Sequence, residues 1–440
     1  MQRRPSRFAG AGWLLLALAL NLGIGLLLKS QPTIEGGRLR APCADGTLTD
    51  GRQFSRLCYS DIGKLFRTEH LAHGRRPYLD ACPPDPSRPT VEPVCDEYPI
   101  LTMYTMWLTA RAATGAGSFL LWNAALLSIA AAVVALCLHV VSRERAYWFA
   151  LAPTLLLYAF MNWDLIAVAF ATAATLAFLR DRDRVSGTLL GLGAAAKLYP
   201  ILLAIAFAAK RIRQGDRRGA ARVVVWAGGV WLLVNLPFAL TGSEGWSRFF
   251  RLSADRPPDL DSLWFIGCRW AAGGFPCLRD PFEVVSPLQL IDAMSGAVLV
   301  GTAALVWWLR ARRNPNFPVW TFGLPLLILF LLTSKVYSPQ FSLWLLPWFA
   351  LALPGLKRIP ALGLFAAFEA TDVFVFVTRF TWFGIGGPDQ WVFELAVVLR
   401  ALVLVVCLVA WVLGPSPSLA GEPEVPTARP RRQGRGTVRV

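Results

Sequence analysis

The stretch RDRDRVSGTLLGLGAAAKLYPILLAIAFAAKRIR, residues 180–213, decides how this chain folds. Its apolar part, 187–208, has about the length of one membrane helix, since ~20 apolar residues cross a bilayer. Basic clusters flank it on both sides, and Lys and Arg in short loops mark the cytoplasmic side of a membrane. A single crossing would place one cluster on the wrong side, so the segment must enter the membrane and return. The turning point is Ala194-Ala-Ala-Lys197-Leu-Tyr-Pro200, and the two arms form either a re-entrant hairpin or two shortened helices.

The composition agrees with a membrane protein. Of the 440 residues 55% are hydrophobic and only 16% are charged, whereas a soluble domain carries ~25% charged residues. This excludes a set of soluble domains, and the 18 Trp and 27 Phe exclude a disordered chain. The net charge of +16 lies mainly in the predicted cytoplasmic loops and the C-terminal tail. It therefore reflects membrane orientation, and we expect no nucleic-acid partner.

The remaining apolar runs predict an all-α polytopic integral membrane protein. With 187–208 counted twice, they give about 12 membrane segments with both termini in the cytoplasm. The predicted membrane domain covers 1–414, and a disordered basic tail covers 415–440, where arginines would attract anionic lipids. The apolar runs are 13–28, 118–141, 146–160, 163–179, 187–208, 223–241, 287–309, 319–334, 341–354, 360–378 and 391–413.

Two long loops are predicted on the extracytoplasmic side, and the cysteines support this. We call residues 29–117 the first loop and 242–286 the second loop. Six of the eight Cys fall in them and none falls in a predicted cytoplasmic loop, as disulfides on an oxidising side require. Pairing within each loop is expected, with two bridges in the first loop. The loop cysteines are Cys43, Cys58, Cys82, Cys95, Cys268 and Cys277.

Two lysines interrupt apolar runs near the predicted outer leaflet. Lys197 and Lys335 are each followed by an aromatic residue and a proline. A buried ammonium in a membrane is costly and usually has a partner or a purpose, so a pair of cations that faces a phosphate is one interpretation. The alternative is that each lysine extends to the lipid headgroups. Asp164 begins a span at the same face, where it either caps its helix or positions a substrate hydroxyl or a lysine.

The first loop supplies carboxylates, among them Asp61 and Glu97. The chain has no zinc spacing, no P-loop and no nucleophile elbow. Without a nucleotide-binding signature, a reaction at this face must use a substrate already in the membrane, and a lipid-linked one fits. We expect no cofactor and no metal; Asp96 and Glu97 as a metal-binding pair remains the alternative.

Taken together, these residues resemble glycosyltransferase family 87, within the GT-C fold class, and in particular the actinobacterial alpha-mannosyltransferases that use polyprenyl-phosphate-mannose. The likeness extends over about 12–413. In this sequence the insertion between Tyr78 and Glu97 departs from the family pattern, and some relatives carry His at the position of Tyr337. The motifs are Asp61, Gly74-Arg-Arg-Pro77-Tyr78, Glu97-Tyr98-Pro99, Asn162-Trp163-Asp164, Gly191-Leu-Gly-Ala-Ala-Ala-Lys197-Leu-Tyr-Pro200, Asn235-Leu-Pro237-Phe238, Ser262-Leu-Trp264 and Lys335-Val-Tyr-Ser-Pro339-Gln340 with Leu343-Trp344-Leu-Leu-Pro347.

The resemblance implies an inverting transfer of a hexose, mannose first, on the outer face of the cell membrane. The donor would be a polyprenyl-phosphate sugar and the acceptor a cell-envelope glycolipid or glycan. Asp61 would be the general base, and Lys197, Lys335 and Arg256 would stabilise the leaving phosphate. Positions expected to orient substrate are Glu97, Asp164, Tyr199, Tyr337 and Gln340.

A transporter or flippase of a lipid-linked sugar is the alternative from another class. Broken helices at a membrane site suit a transporter equally well. No inverted repeat is visible in the sequence, however, and the long cysteine-bearing loops lie on one predicted side only. These two features favour the enzyme.

Overall fold

The structure, a computed structural model, describes residues 10–35, 38–44, 50–83, 95–271, 288–384 and 387–415. Among these described residues, six helices are long and apolar enough to cross a membrane: Ala11–Ser30 (α1), the helical stretch Ala116–Ala150, Arg217–Thr241 (α11), Leu288–Arg313 (α14), Ala361–Trp382 (α17) and Gln390–Leu413 (α18). The stretch Ala116–Ala150 contains α5 (Ala116–Ser142) and α6 (Ala146–Ala150).

Shorter helices complete the bundle and the loops. They are α2 (Arg52–Ser55), α3 (Asp61–Thr68), α4 (Ile100–Ala112), α7 (Pro153–Tyr158), α8 (Asp164–Leu179), α9 (Asp183–Ala196), α10 (Pro200–Arg213), α12 (Ser243–Asp255), α13 (Leu263–Trp270), α15 (Gly323–Thr333) and α16 (Leu346–Ala352). Short 3-10 turns occur at Pro42–Ala44, Leu71–His73, Arg143–Arg145, Val319–Phe322 and Pro339–Trp344. Within the described residues the strands are limited to one antiparallel hairpin, β1 (Thr33–Glu35) and β2 (Arg38–Arg40), in which Thr33 pairs with Arg40.

The surface of the long helices shows that the bundle lies in a membrane. On α11, Val225, Leu233 and Leu240 are 66%, 73% and 75% exposed, and on α14 Val300 and Leu305 are 69% and 52% exposed. A water-soluble protein rarely exposes continuous apolar faces of this size, whereas lipid accepts them. The predicted all-α, multi-pass membrane fold is therefore confirmed; the number of crossings stays a prediction.

The segment that decides the fold forms two short helices. α9 ends at Ala196 and α10 begins at Pro200, so the predicted break at Lys197 is confirmed. Each helix has 14 residues, or ~21 Å at 1.5 Å per residue. The arms are longer than the apolar run 187–208 suggested, because each helix continues into its charged flank. Both arms still fall short of the ~30 Å hydrocarbon core.

Small residues let α9 pack closely against α11. A Cβ on Gly187 would lie 2.6 Å from the carbonyl oxygen of Val223, and a Cβ on Gly191 would lie 2.6 Å from that of Ala227. At the far end of the helix pair, Arg222 of α11 lies 2.9 Å from the Asp183 carboxylate of α9. This packing fixes where α9 ends and therefore where Lys197 lies.

The segment before α5 is a separate helix. By sequence, the apolar and aromatic stretch 98–111 is expected to form either an interfacial helix or an outward extension of the following span. The structure has α4 and α5 as two helices, because Ala113 adopts an extended conformation between them. Thr102 of α4 donates to the carbonyl of Ala196 at 2.8 Å, so α4 satisfies a backbone group at the broken end of α9.

Gly191→Ala tests the close approach of α9 and α11. We expect the melting temperature of the detergent-solubilised protein to fall, corresponding to ~1–3 kcal/mol of overpacking against backbone that cannot yield. Gly229→Ala on α11 is the control: its Cβ meets nothing within 4 Å, so helix propensity alone should stabilise it by up to ~1 kcal/mol. Equal melting shifts for the two variants would contradict the close approach.

Candidate active site

One cavity of about 930 Å³ opens where the first loop, the α9–α10 break, the second loop and the segment before α16 meet. Most of the residues predicted for the site line it: Asp61, Glu97, Lys197, Tyr199, Arg256, Lys335 and Gln340. Asp164 and Tyr337 are buried and do not line it. Tyr337 shares a hydrogen bond with Ser342, and the Arg400 guanidinium lies 3.9 Å from its ring centroid. Seven of the nine predicted positions therefore converge on one cavity.

Asp61 is held from two sides at the cavity wall. It begins α3 behind Ser60, whose hydroxyl accepts the Ile62 N–H and caps the helix. The Tyr59 hydroxyl donates to one carboxylate oxygen at 2.7 Å, and the Asn162 amide donates to the other at 3.0 Å. Each oxygen keeps lone pairs for a further donor. This carboxylate is oriented and remains able to accept a proton.

The Tyr59 phenol beside Asp61 acts as a donor. The charge of Asp61, followed by burial, raises the pKa of Tyr59 well above its ordinary value, so the hydroxyl keeps its proton. Asn162 also donates to the Tyr98 hydroxyl at 2.7 Å, which ties the Glu97-Tyr98-Pro99 motif to the Asn162-Trp163-Asp164 motif. Tyr98 and Asn162 are 64 residues apart in the sequence, so two distant motifs meet beside the candidate base.

Asp164 pairs with a lysine. Its carboxylate lies 3.0 Å from Lys197 Nζ and accepts from the Trp344 indole at 2.7 Å. Trp163 is the N-cap of α8 and makes no side-chain capping bond, so pairing, one of the alternatives left by the sequence, is the arrangement seen. Lys197 Nζ also lies 4.6 Å from the Phe341 ring centroid. The ammonium is therefore compensated, and it still faces the cavity.

Lys335 is paired as well, with a residue that sequence reasoning missed. Its ammonium lies 2.8 Å from an Asp292 oxygen and donates to the Ala254 carbonyl at 2.7 Å. An ammonium has three N–H donors, so one remains for a ligand. Asp292 interrupts the apolar start of α14, the same signal that singled out Lys335.

Arg256 is half-exposed and lies at the edge of a buried cluster in the second loop. It lies 3.4 Å from Asp259, and Arg379 of α17 binds both Asp259 and Asp261. Burial opposes ionisation of Asp259, but Arg379 and Arg256 outweigh it and hold its pKa below the ordinary range. Burial raises the pKa of Asp261 to about 6. The cluster anchors the second loop against α17 and brings Arg379, another unpredicted residue, to the cavity.

The loop that carries Glu97 is fixed by a second buried cluster. Glu69 accepts the backbone N–H groups of Asp96 and Glu97 at 2.8 and 3.1 Å. Arg75 binds Asp96 through two nitrogens, at 3.1 and 2.5 Å. Burial raises the pKa of Glu69 to about 8 and that of Glu97 above its ordinary value. Both carboxylate oxygens of Asp96 therefore accept from Arg75 in this structure.

Two disulfides close the first loop beside the cavity carboxylates. Cys43 pairs with Cys58, and Cys82 pairs with Cys95. The two predicted bridges within this loop are confirmed.

Cys277 lies outside the described residues, as do 1–9 and all but the first residue of the predicted tail 415–440. Within the described ranges no group of three or more His, Cys, Asp or Glu is placed to hold a metal ion.

Further residues that the sequence reasoning missed are Tyr59, Asn162 and Lys64. Lys64 lies one turn beyond Asp61 on α3 and also lines the cavity. Residues three apart on a helix lie on the same face, so the spacing between Asp61 and Lys64 was the sequence signal that could have identified Lys64. Asn162 was visible as part of a motif, but its contact with Asp61 depends on loop packing and has no local signature.

A helical membrane bundle with a polar, charged cavity is typical of membrane enzymes and of membrane carriers. The comparison with known families distinguishes these two classes, because the family model for glycosyltransferase family 87 matches residues 97–339. This is more than half of the chain, and the chain belongs to that family. It is a multi-pass membrane glycosyltransferase.

Other comparisons give weaker likenesses. Crystal structures of ArnT from Cupriavidus metallidurans, one bound to undecaprenyl phosphate and one in the apo state, each match with a TM-score of 0.42 and 14% identity. The match covers 92% of this chain and 77% of theirs. No curated protein matches the sequence.

Removal of Asp164 tests whether its ion pair is structural. We expect Asp164→Leu to destabilise the protein by ~3–5 kcal/mol, because the buried Lys197 ammonium loses its partner. Adding Lys197→Met should recover much of this loss, since an apolar pair of similar volume is often neutral. Thermal unfolding in detergent would measure both.

The control is the exposed pair Arg76–Asp80, where Arg76→Ala should change stability by less than ~1 kcal/mol. A double variant no more stable than Asp164→Leu alone would contradict a pairwise role.

Proposed function

We propose that the protein transfers a hexose, mannose first among them, from a polyprenyl-phosphate donor to a cell-envelope glycolipid or glycan. The observation that carries the proposal is the cavity in which the oriented carboxylate of Asp61 and the cations Lys197, Lys335 and Arg256 meet. Family 87 membership supports glycosyl transfer. The undecaprenyl phosphate bound to the related-fold ArnT is a lipid of the proposed class.

The reaction is an inverting displacement. The acceptor hydroxyl attacks the anomeric carbon of the donor sugar while the bond from that carbon to the phosphate oxygen breaks. Asp61 takes the hydroxyl proton as general base, and the polyprenyl phosphate leaves with one more negative charge. Lys335 and Arg256 stabilise that charge, since Lys335 keeps an N–H free and Arg256 is half-exposed to the cavity. Glu97, Tyr199 and Gln340 orient the sugars as cavity-wall residues, and Asp164 acts through Lys197.

The proposed location is the outer face of the cell membrane, with both termini in the cytoplasm. Two disulfides in the first loop support an oxidising compartment for that loop and for the cavity beside it. A flippase of a lipid-linked sugar, the alternative considered above, is disfavoured by membership of a glycosyltransferase family.

Asp61→Asn tests the general base. We expect the purified variant to insert and to bind undecaprenyl phosphate normally, but to lose transfer from polyprenyl-phosphate-mannose by ~10²–10⁴-fold, because the amide cannot accept the proton. Product glycolipid would be measured by mass spectrometry. Asp50→Asn, an exposed carboxylate of the same loop outside the cavity, is the matched control. Undiminished turnover by Asp61→Asn would remove the assignment.

Charge changes at Lys335 and Asp292 test the phosphate site. Lys335→Ala should weaken binding of undecaprenyl phosphate about tenfold, the loss expected for a charged hydrogen bond. Asp292→Asn should strengthen it, since a negative neighbour disappears. Tryptophan fluorescence titration would report both affinities, with the exposed Lys357→Ala as control. Unchanged affinity in Lys335→Ala and Lys197→Ala would instead favour lysines that only reach towards headgroups.

A further inference from the structure

Lys29, at the end of α1, is fully buried. Its ammonium donates to the backbone carbonyl of Tyr59 at 2.8 Å and lies 5.0 Å from the Phe376 ring centroid. Among the described residues no carboxylate lies within ion-pair distance of it, in contrast to Lys197 and Lys335. A buried charge without a hydrogen-bonded counter-ion is strongly disfavoured. Such a residue needs a compensating interaction and, inside a membrane protein, is by default a functional candidate.

Structural reasons do not account for a lysine at this place. The C-terminal end of a helix favours a cation, but a solvent-exposed lysine would satisfy that preference without desolvation. An apolar side chain would fill the site beside Phe376 more cheaply. The feature left to explain the ammonium is its position behind the candidate base.

Tyr59 links Lys29 to Asp61. Its carbonyl accepts from Lys29, and its hydroxyl donates to the Asp61 carboxylate at 2.7 Å. The Tyr59 ring stacks on Phe380 at 5.1 Å between centroids, so the residue that joins the two charges is itself immobilised.

We propose that Lys29 is a positioning residue for Asp61: its buried ammonium fixes Tyr59 and stabilises the ionised carboxylate that accepts the acceptor's proton. This inference rests on the proposed role of Asp61 as general base. A carboxylate must be ionised before it can take a proton, and a fixed opposite charge favours that form. The effect is strong here because the interaction crosses protein instead of water.

The other titratable groups around Asp61 do not replace Lys29. Lys64 is exposed, and Arg379 is bound by two carboxylates. The acidic neighbours oppose ionisation of Asp61 or are neutralised, as Asp164 is by Lys197. The titratable or charged groups that face Asp61 are Lys29, Tyr59, Lys64, Glu97, Tyr98, Asp164 and Arg379.

The first experiment measures kcat/KM for transfer from polyprenyl-phosphate-mannose against pH. In Lys29→Met the acidic limb of the kcat/KM profile should move to higher pH by about one unit. At a pH on that limb kcat/KM should fall about tenfold, and it should recover at higher pH. Lys29→Arg should restore the wild-type profile. A role in folding alone would lower activity equally at all pH values, and superimposed profiles for Lys29→Met and wild type would overturn the proposal.

The second experiment needs no substrate and therefore separates this inference from the proposed reaction. A water-soluble carbodiimide modifies protonated carboxyl groups, and peptide mass spectrometry of the folded full-length protein reports labelling of Asp61 at each pH. The labelling midpoint of Asp61 should rise by about one pH unit in Lys29→Met and stay at the wild-type value in Lys29→Arg. Exposed Asp50 serves as internal control. An unchanged Asp61 midpoint overturns the role of Lys29 even if transfer is observed; a shifted midpoint without any transfer overturns the reaction only.

Discussion

The ion pair between Asp164 and Lys197 is the constraint on which the site depends. It joins the first residue of α8 to the residue that follows α9, and the Trp344 indole donates to the same carboxylate. Three chain segments that are distant in sequence are thereby fixed around one buried charge. Because backbone without helix is tolerated in a membrane only where protein or a cavity satisfies it, the break at 197–199 must lie within this cluster. The cavity opens at this interruption between α9 and α10, and residues 197–199 line it.

Every cation proposed for the donor phosphate has a carboxylate partner in the structure. Lys197 has Asp164, Lys335 has Asp292 and Arg256 has Asp259. A cavity of unpaired cations would bind any anion, whereas paired cations with spare N–H donors favour a ligand that supplies additional contacts, such as a sugar and an isoprenoid chain. Pairing also lowers the cost of keeping these charges away from water before a substrate arrives.

The sequence predicted what local pattern controls. The charge clusters around 187–208 required a break, and α9 ends at Ala196. Asp61 and Glu97 were assigned to the site through the family resemblance, and both line one cavity. It could not predict the partners of the charges, because the Lys335–Asp292 and Arg379–Asp261 contacts depend on how helices pack across the bundle. Lys29 was overlooked for the same reason. At the end of an apolar run it resembles an ordinary flanking lysine, and only the fold of the first loop buries it.

The candidate base is the first residue of the short helix α3 within the first loop, and catalytic groups must be held within ~0.5 Å of their working position. The two disulfides lie close to the carboxylates that need precise positions. Cys58 comes three residues before Asp61, and Cys95 comes two residues before Glu97. The buried Glu69–Arg75–Asp96 cluster then fixes the second of these segments through backbone N–H groups, and holds Asp96 at a left-handed φ of 60°.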